Sequence, residues 1–126
     1  MKLFIVYKKK HKETGVLYSG KSSGEYTGSK TDARKILEKR DKYHHKNAKG
    51  FDKAILEQQS TDEDAVRGYE QMMIDHYGGA QSSGGTSGNQ YNSISPKNKK
   101  KQQYLEAALK VFGPLLLVIA FIYLLL

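Results

Sequence analysis

The chain has 126 residues, no cysteine and a formal net charge of +8 at pH 7. The length suits one small domain, and the lack of cysteine excludes disulfides and cysteine-ligated zinc. The whole positive excess falls in residues 1–60, which hold 15 Lys/Arg against 7 Asp/Glu. A basic half of this kind indicates a polyanionic partner, nucleic acid first and anionic lipid second. The alternative is that the lysines only keep the domain soluble.

Two short apolar segments near the N-terminus predict a β-hairpin. Residues 3–7 and 16–18 are apolar and aromatic, as strands require. The lysine-rich stretch between them ends at Thr14-Gly15 and suits a hairpin loop. The Gly/Ser-rich residues 22–29 predict a further loop. On this pattern alone, Tyr7 and Tyr18 are compatible with ordinary buried strand residues.

A basic helix is predicted over residues 31–46, which contain neither Gly nor Pro. Thr31 is a suitable N-cap. Arg40 and His44 are spaced one helical turn apart and would project together beside the apolar stripe. His45 lies about 100° further round the helix and competes with His44 for the same role. The apolar positions of this face are Ala33, Ile36 and Leu37.

A second helix is predicted between residues 60 and 77, after a segment whose pattern is ambiguous. In that segment, residues 54–56 suit a third strand or the last turn of a helix. Ser60-x-x-Glu63 fits a capping box, and the helix should end before Gly78-Gly79. Glu70 falls on the apolar stripe of this helix, where a carboxylate is rare unless it is paired or binds a metal. The other members of the stripe are Val66, Tyr69, Met73 and Tyr77.

The C-terminal part of the chain predicts a membrane anchor. Residues 78–88 form a flexible or tightly turned Gly/Ser loop, and Pro96 marks a boundary before a lysine run at 97–101. Residues 111–126 are uncharged and mostly apolar; as a helix they extend roughly 24 Å, against a hydrocarbon core of about 30 Å. The lysines before this span predict a cytoplasmic N-terminal domain on a single-pass anchor. A buried C-terminal helix is the alternative.

The hairpin resembles the signature element of the GIY-YIG nuclease family. Ile5-Val6-Tyr7 corresponds to the first triplet, without its glycine, and Tyr18-Ser19-Gly20 to the second, with serine in place of isoleucine. Lys21-Ser22 resembles the basic residue and threonine that follow in the family. The resemblance covers roughly residues 3–95, and the domain is also similar to nuclease domains of bacterial polymorphic toxins. Five ordered elements carry it: Tyr7, Tyr18, Arg40 with His44, Glu70, and Asn89.

The resemblance implies an α+β domain with a roughly three-stranded antiparallel sheet flanked by helices. It implies a phosphodiester-cleaving endonuclease that acts on nucleic acid, DNA in preference to RNA. Glu70 would hold one divalent cation, Mg²⁺ or Mn²⁺, and Arg40 would clamp the phosphate. A tyrosine, Tyr7 or Tyr18, would be the general base, with His44 sharing in the role. Asn89, or Asn92 as the alternative, would orient Glu70 or a phosphate.

The predicted organisation is therefore a GIY-YIG-like domain at residues 1–95, a basic linker and amphipathic segment at 96–110, and a transmembrane anchor at 111–126. Two other functions are compatible with the sequence. The first is a module that binds nucleic acid at a membrane without cleaving it. The second is a small basic protein that lies on anionic lipid.

Overall fold

The computed structural model describes the backbone of residues 1–125 and the side chains of residues 1–113. The chain has three strands and three helices in the order β-β-α-β-α-α, with single 3-10 turns at Asn47–Lys49 and Gln81–Ser83. In chain order the elements are β1 (Lys2–Lys10), β2 (Leu17–Glu25), α1 (Asp32–Lys42), β3 (Ile55–Ser60), α2 (Glu63–His76) and α3 (Lys101–Leu125).

The strands form one antiparallel sheet in the order β2-β1-β3, so the first strand is central. The hairpin register pairs Tyr7 with Gly20 and Lys9 with Tyr18. On its other edge β1 pairs with β3, and the register shifts between Val6 and Tyr7. The predicted three-stranded antiparallel sheet with flanking helices is confirmed, including the third strand, which is longer than the sequence pattern indicated.

Both hairpin strands are also longer than predicted. Residues 8–10 and 22–25, which we expected in loops, continue β1 and β2. Lys9 remains in the sheet because its ammonium group forms a buried ion pair with Asp41. Gly24 suits β2 because a Cβ there would lie 2.7 Å from Cγ1 of Ile36, so only glycine lets α1 approach this closely.

The first helix begins at the predicted N-cap residue, Thr31, but it is shorter than predicted. It ends at Lys42, so His44 lies in the turn after the helix and not one helical turn beyond Arg40. Thr31 makes no side-chain capping bond. Asp32 instead accepts hydrogen bonds from the backbone N–H and the hydroxyl of Thr27, at 2.8 and 2.6 Å. These bonds hold the turn that leads into the helix.

The N-cap of the second helix lies two residues later than predicted. Asp62, and not Ser60, is the N-cap, and its carboxylate accepts from the N–H of Ala65 at 3.1 Å. Ser60 is the last residue of β3, and its hydroxyl accepts from the N–H of Asp62. The helix ends at His76, and Gly78 follows at φ 117°, a value that favours glycine. The predicted end before Gly78-Gly79 is confirmed.

Alternation along β1 divides the interior into two clusters, one on each face of the sheet. Odd-numbered residues of β1 face α1, where Leu3, Ile5 and Tyr7 pack with Ala33 and Ile36. Even-numbered residues face α2, and Val6 forms the centre of that side. The cluster on the α2 face contains Val6, Ala65, Val66, Tyr69, Met73, Ala108 and Phe112.

The first turns of α3 pack on α2. Tyr104, Ala108 and Phe112 are buried there, and a Cβ on Gly68 would lie 2.1 Å from the carbonyl oxygen of Tyr104. The backbone departs from helical geometry at Phe112, where φ is −115° and ψ is 15°. In the part of the chain that the structure describes, no helix combines the length and apolar character needed to cross a membrane. Most of the predicted anchor, from residue 114 onward, lies outside the residues whose side chains are described.

Candidate active site

Tyr7 lies at the centre of the site. It is completely buried in the central strand, and its phenol extends over β2 at Gly20. A Cβ on Gly20 would lie 2.5 Å from the phenol oxygen, so the glycine of the second triplet makes room for the tyrosine of the first. Oη of Tyr7 lies 2.9 Å from Nε2 of His44.

The hydrogen bonds of His44 fix its tautomer. Its Nδ1 accepts from the backbone N–H of Lys46 at 3.0 Å, so in the neutral ring the proton is on Nε2. Nε2–H then donates to Tyr7 Oη, which leaves the tyrosine's own proton available for another acceptor. Burial, with smaller contributions from the charges of Arg40, His45 and Lys9, lowers the pKa of His44 to about 4. His44 is therefore a neutral donor at neutral pH.

Tyr18 and both histidines complete an aromatic group beside Tyr7. The Tyr18 ring lies edge-on to His44, with centroids 5.2 Å apart. The side chain of Tyr18 is partly exposed, whereas that of Tyr7 is completely buried. His45 is exposed and stacks on His44 at 4.5 Å. The structure therefore distinguishes the two histidines, since His44 bonds to Tyr7 and His45 covers His44.

Opposing effects act on the pKa of each of the two phenols. Burial raises the pKa of Tyr7 above its usual range, Tyr18 and Glu70 add to the rise, and the guanidinium of Arg40 opposes it. Burial also raises the pKa of Tyr18, as does the charge of Glu70, while Arg40 and the Tyr7 hydroxyl favour its ionised form. Arg40, in the last turn of α1, is therefore close enough to act on both phenols. An additional positive charge would be needed to ionise either one at neutral pH.

Glu70 lies on α2, and its charge raises the pKa of both phenols. Its side chain is only 6% exposed, in agreement with its predicted place on the apolar stripe. Burial raises the pKa of its carboxyl to about 6, against opposing effects of the Ser93 hydroxyl, Lys21 and Arg67. A carboxylate in such a site gains from a cation, since a bound cation compensates for the water it has lost.

Asn89 is committed to the backbone of β2. Its Oδ1 accepts from the N–H of Ser19 at 2.8 Å, and its Nδ2 donates to the carbonyl of Ser19 at 2.7 Å. These two bonds fix the strand between Tyr18 and Gly20. Asn92 lies elsewhere and bonds to Gln71 and Ser83. Of the two asparagines, Asn89 is therefore the one that holds the strand carrying Tyr18.

A buried lysine that the sequence analysis missed supports His44. Lys9, with no exposed surface, pairs with Asp41 and donates to Oδ1 of Asn47 at 2.7 Å. Asp41 and Asn47 flank the turn that contains His44, and Asp41 also accepts from the N–H of Ala54. Tyr7 and Lys9 are two residues apart on one strand, and this spacing could have indicated that Lys9 faces the same side of the sheet as Tyr7. The neighbouring lysines concealed this signal.

The charges of Arg40 and Glu70 thus act on both phenols, and His44 bonds to Tyr7. Asn89 bonds to the strand that carries Tyr18. Within the described residues, no three His, Asp or Glu side chains converge as a preformed metal cluster. Comparison of the chain with protein-family models, with curated proteins and with solved structures gives no match.

Proposed function

We propose that this protein is a metal-dependent nuclease of the GIY-YIG type. The observation that carries the proposal is the bond between His44 Nε2 and Tyr7 Oη, beside Tyr18 and Arg40 and within the electrostatic reach of Glu70. An ordinary strand pair has no need of a buried histidine bonded to a buried tyrosine, with a guanidinium and a buried carboxylate acting on the same phenol. Such a group provides the three requirements of phosphodiester hydrolysis: a proton acceptor, a phosphate clamp and a site for a cation.

Tyr18 is the better candidate for the general base. It is the partly exposed phenol, so its oxygen is the one that a water molecule beside the substrate can reach. Tyr7 is fully buried and accepts from His44, and its hydroxyl favours the ionised form of Tyr18. His44 and Tyr7 would thus form a donor chain that stabilises the Tyr18 phenolate as it takes the proton from water.

Arg40 would bind the scissile phosphate. Its planar guanidinium matches two phosphate oxygens, and its charge acts on the same phenols that would activate the water. The phosphate would neutralise part of that charge on binding. Asn89 would have an indirect role, since it positions the strand of Tyr18 and has both ends of its amide occupied.

Glu70 fits the task of holding a divalent cation. A hard cation needs oxygen ligands and can keep several waters with a single protein carboxylate, so the lack of a carboxylate cluster is compatible with Mg²⁺ or Mn²⁺. A carboxyl with a pKa of about 6 is largely ionised at neutral pH. When bound, the cation would neutralise charge on the phosphate and the leaving oxygen.

The proposal includes a membrane location. Residues 111–126 are uncharged and mostly apolar, which suits a marginal single span. The kink at Phe112 coincides with the change from the part of α3 that packs on α2 to the apolar tail. We propose that the domain is held at the cytoplasmic side of a membrane by this tail.

The decisive experiment compares the parent with Glu70→Gln, which keeps the size of the side chain and removes its charge. The full chain, kept in mild detergent, is incubated with plasmid, single-stranded DNA and RNA in the presence of Mg²⁺, Mn²⁺ or EDTA. We expect cation-dependent cleavage by the parent and a loss of orders of magnitude in Glu70→Gln with an unchanged melting temperature or a higher one.

Glu106→Gln is the matched control, because Glu106 is exposed on α3 and should have no effect on cleavage. A folded Glu70→Gln protein that cleaves at the parent's rate would refute the mechanism. If nucleic acid bound without cleavage under every condition, a non-catalytic binding module would replace the nuclease.

A further inference from the structure

A groove of about 510 Å³ lies between β2 and α1, and Arg40 lines it. On the strand side the groove is lined by small residues, Ser22 and Gly24 among them. On the helix side it is lined by Lys35, Lys39 and Tyr43, one turn apart along the exposed part of α1 and its C-cap. The groove therefore leads from the candidate active site along the surface of the basic helix.

The charge of this groove suits a phosphate chain. Lys35 and Lys39 are exposed, so both ammonium groups are available to a ligand. Of the two acidic residues in the lining, Asp32 is buried and already accepts two hydrogen bonds from Thr27, and Glu25 is the last residue of the strand. The distance along the helix from Lys35 to Tyr43 is about 12 Å. This length accommodates about two to three phosphates of one strand.

Tyr43 adds a feature that phosphate binding alone does not require. Tyr43 is 80% exposed, although a large aromatic side chain usually buries most of its surface. The ammonium of Lys42 lies 5.4 Å from the centroid of its ring. An exposed ring beside a basic groove can stack on a nucleobase. A paired base inside a duplex has both faces covered by its neighbours, so stacking requires an unpaired base.

We propose that this groove binds a single-stranded segment of nucleic acid, with its phosphates along Lys35, Lys39 and Arg40 and one base stacked on Tyr43. The inference rests on the proposed function for the role of Arg40 and identifies its substrate class. A substrate with an unpaired segment next to the scissile phosphate would then be bound in preference to a continuous duplex.

The test measures binding and does not depend on cleavage. Fluorescence anisotropy follows a short labelled single strand of mixed sequence, and the same strand annealed to its complement, in EDTA. The protein is the full chain with Glu70→Gln as background. We expect Tyr43→Ala to weaken single-strand binding about tenfold, since stacking on one base contributes about 1–3 kcal/mol. Tyr43→Phe should keep the affinity within about twofold, because the ring remains.

Two controls separate stacking from charge. Tyr91→Ala removes another exposed tyrosine, 68% exposed and outside the groove, and should change neither affinity. Lys39→Gln should weaken the binding of both the single strand and the duplex, and should reduce the slope of log affinity against log salt concentration by about one. Equal losses for strand and duplex in Tyr43→Ala, or no loss at all, would overturn the inference. Selective single-strand binding without any cleavage by the parent would refute the nuclease proposal and leave this inference standing.

Discussion

The two faces of β1 hold different kinds of side chain. On the α2 side, Val6 packs into a cluster of apolar and aromatic residues that reaches α3. On the α1 side, the strand continues from Leu3 and Ile5 to Tyr7 and Lys9, both completely buried and both bonded to polar partners. The α2 face therefore stabilises the domain through apolar area, while the α1 face buries groups that are costly unless they are paired. This difference indicates which substitutions should affect stability and which should affect chemistry.

The largest effect on stability is expected at Gly68, on the apolar side. In Gly68→Ala the new Cβ would lie 2.1 Å from the carbonyl oxygen of Tyr104, so α2 and α3 must separate. We expect a loss of about 3 kcal/mol in the free energy of unfolding, measured by urea denaturation. Gly113→Ala is the matched control, because a Cβ there meets nothing within 4 Å. Equal stability of the two variants would show that the packing of α3 on α2 contributes little.

A smaller loss of stability with a change in chemistry is expected at Lys9. Lys9→Met keeps a side chain of similar length but removes its charge, so the partly exposed Asp41 loses its cation. We expect the free energy of unfolding to fall by about 2 kcal/mol. The turn that holds His44 loses two of its bonds, and the charge that helps to lower the pKa of His44 is removed. We expect the pKa of His44, followed by NMR, to rise from about 4 towards its usual range.

The neighbouring variant Lys10→Met is the control for Lys9, because Lys10 is exposed on the same strand. It should leave both the stability and the titration of His44 unchanged. If Lys9→Met altered stability alone, the Lys9–Asp41 pair would be a purely structural device, and the distinction between the two faces would weaken.

The smallest effect is a difference in pH dependence. The pKa of His44 is lowered on folding, so its contribution to stability is complete above about pH 6.5 and is lost as the pH falls to about 4. Glu70 has the opposite sign, since its pKa rises from 4.5 to about 6 on folding and the folded state gains stability as the pH falls through this window. The two contributions partly cancel in the parent.

Glu70→Gln removes one side of that balance. Between pH 7 and pH 5 this variant should lose about 1 kcal/mol more stability than the parent, as measured by urea denaturation at each pH. Adding His44→Gln to the same background should flatten the curve. Parallel pH curves for the parent and Glu70→Gln would contradict the burial of an ionisable carboxyl at this position.

The sequence predicted what local patterns determine. The hairpin, the end of α2 and the position of Glu70 on its apolar stripe follow from periodicity and from the glycines at the ends of the elements. The pattern leaves residues 54–56 open between strand and helix, and only the resemblance favours the strand that the structure has. The choice of His44 over His45 did not follow, because it depends on the turn after α1. That helix ends at Lys42 without a glycine or proline to signal it.

The features that the sequence did not predict depend on residues that are distant along the chain. Lys9 lies among lysines that suggest a solvated loop, and its burial depends on Asp41, 32 residues later. Residues 22–25 have the composition of a loop, and they are strand because β1 is long enough to pair with them. The role of Asn89 depends on Ser19, 70 residues earlier, so its amide could not be assigned to backbone bonding from sequence.

The pair of bonds between Asn89 and Ser19 also bears on self-association. β2 is an edge strand, and its outward N–H and C=O groups would accept a strand from another molecule. A side-chain amide satisfies both groups at Ser19, and the N–H of Gly88 bonds to the carbonyl of Leu17 at 2.7 Å, as a fourth strand would do. The loop from residue 87 to 89 thus closes this half of the edge to intermolecular strand addition, beside the phenol of Tyr18.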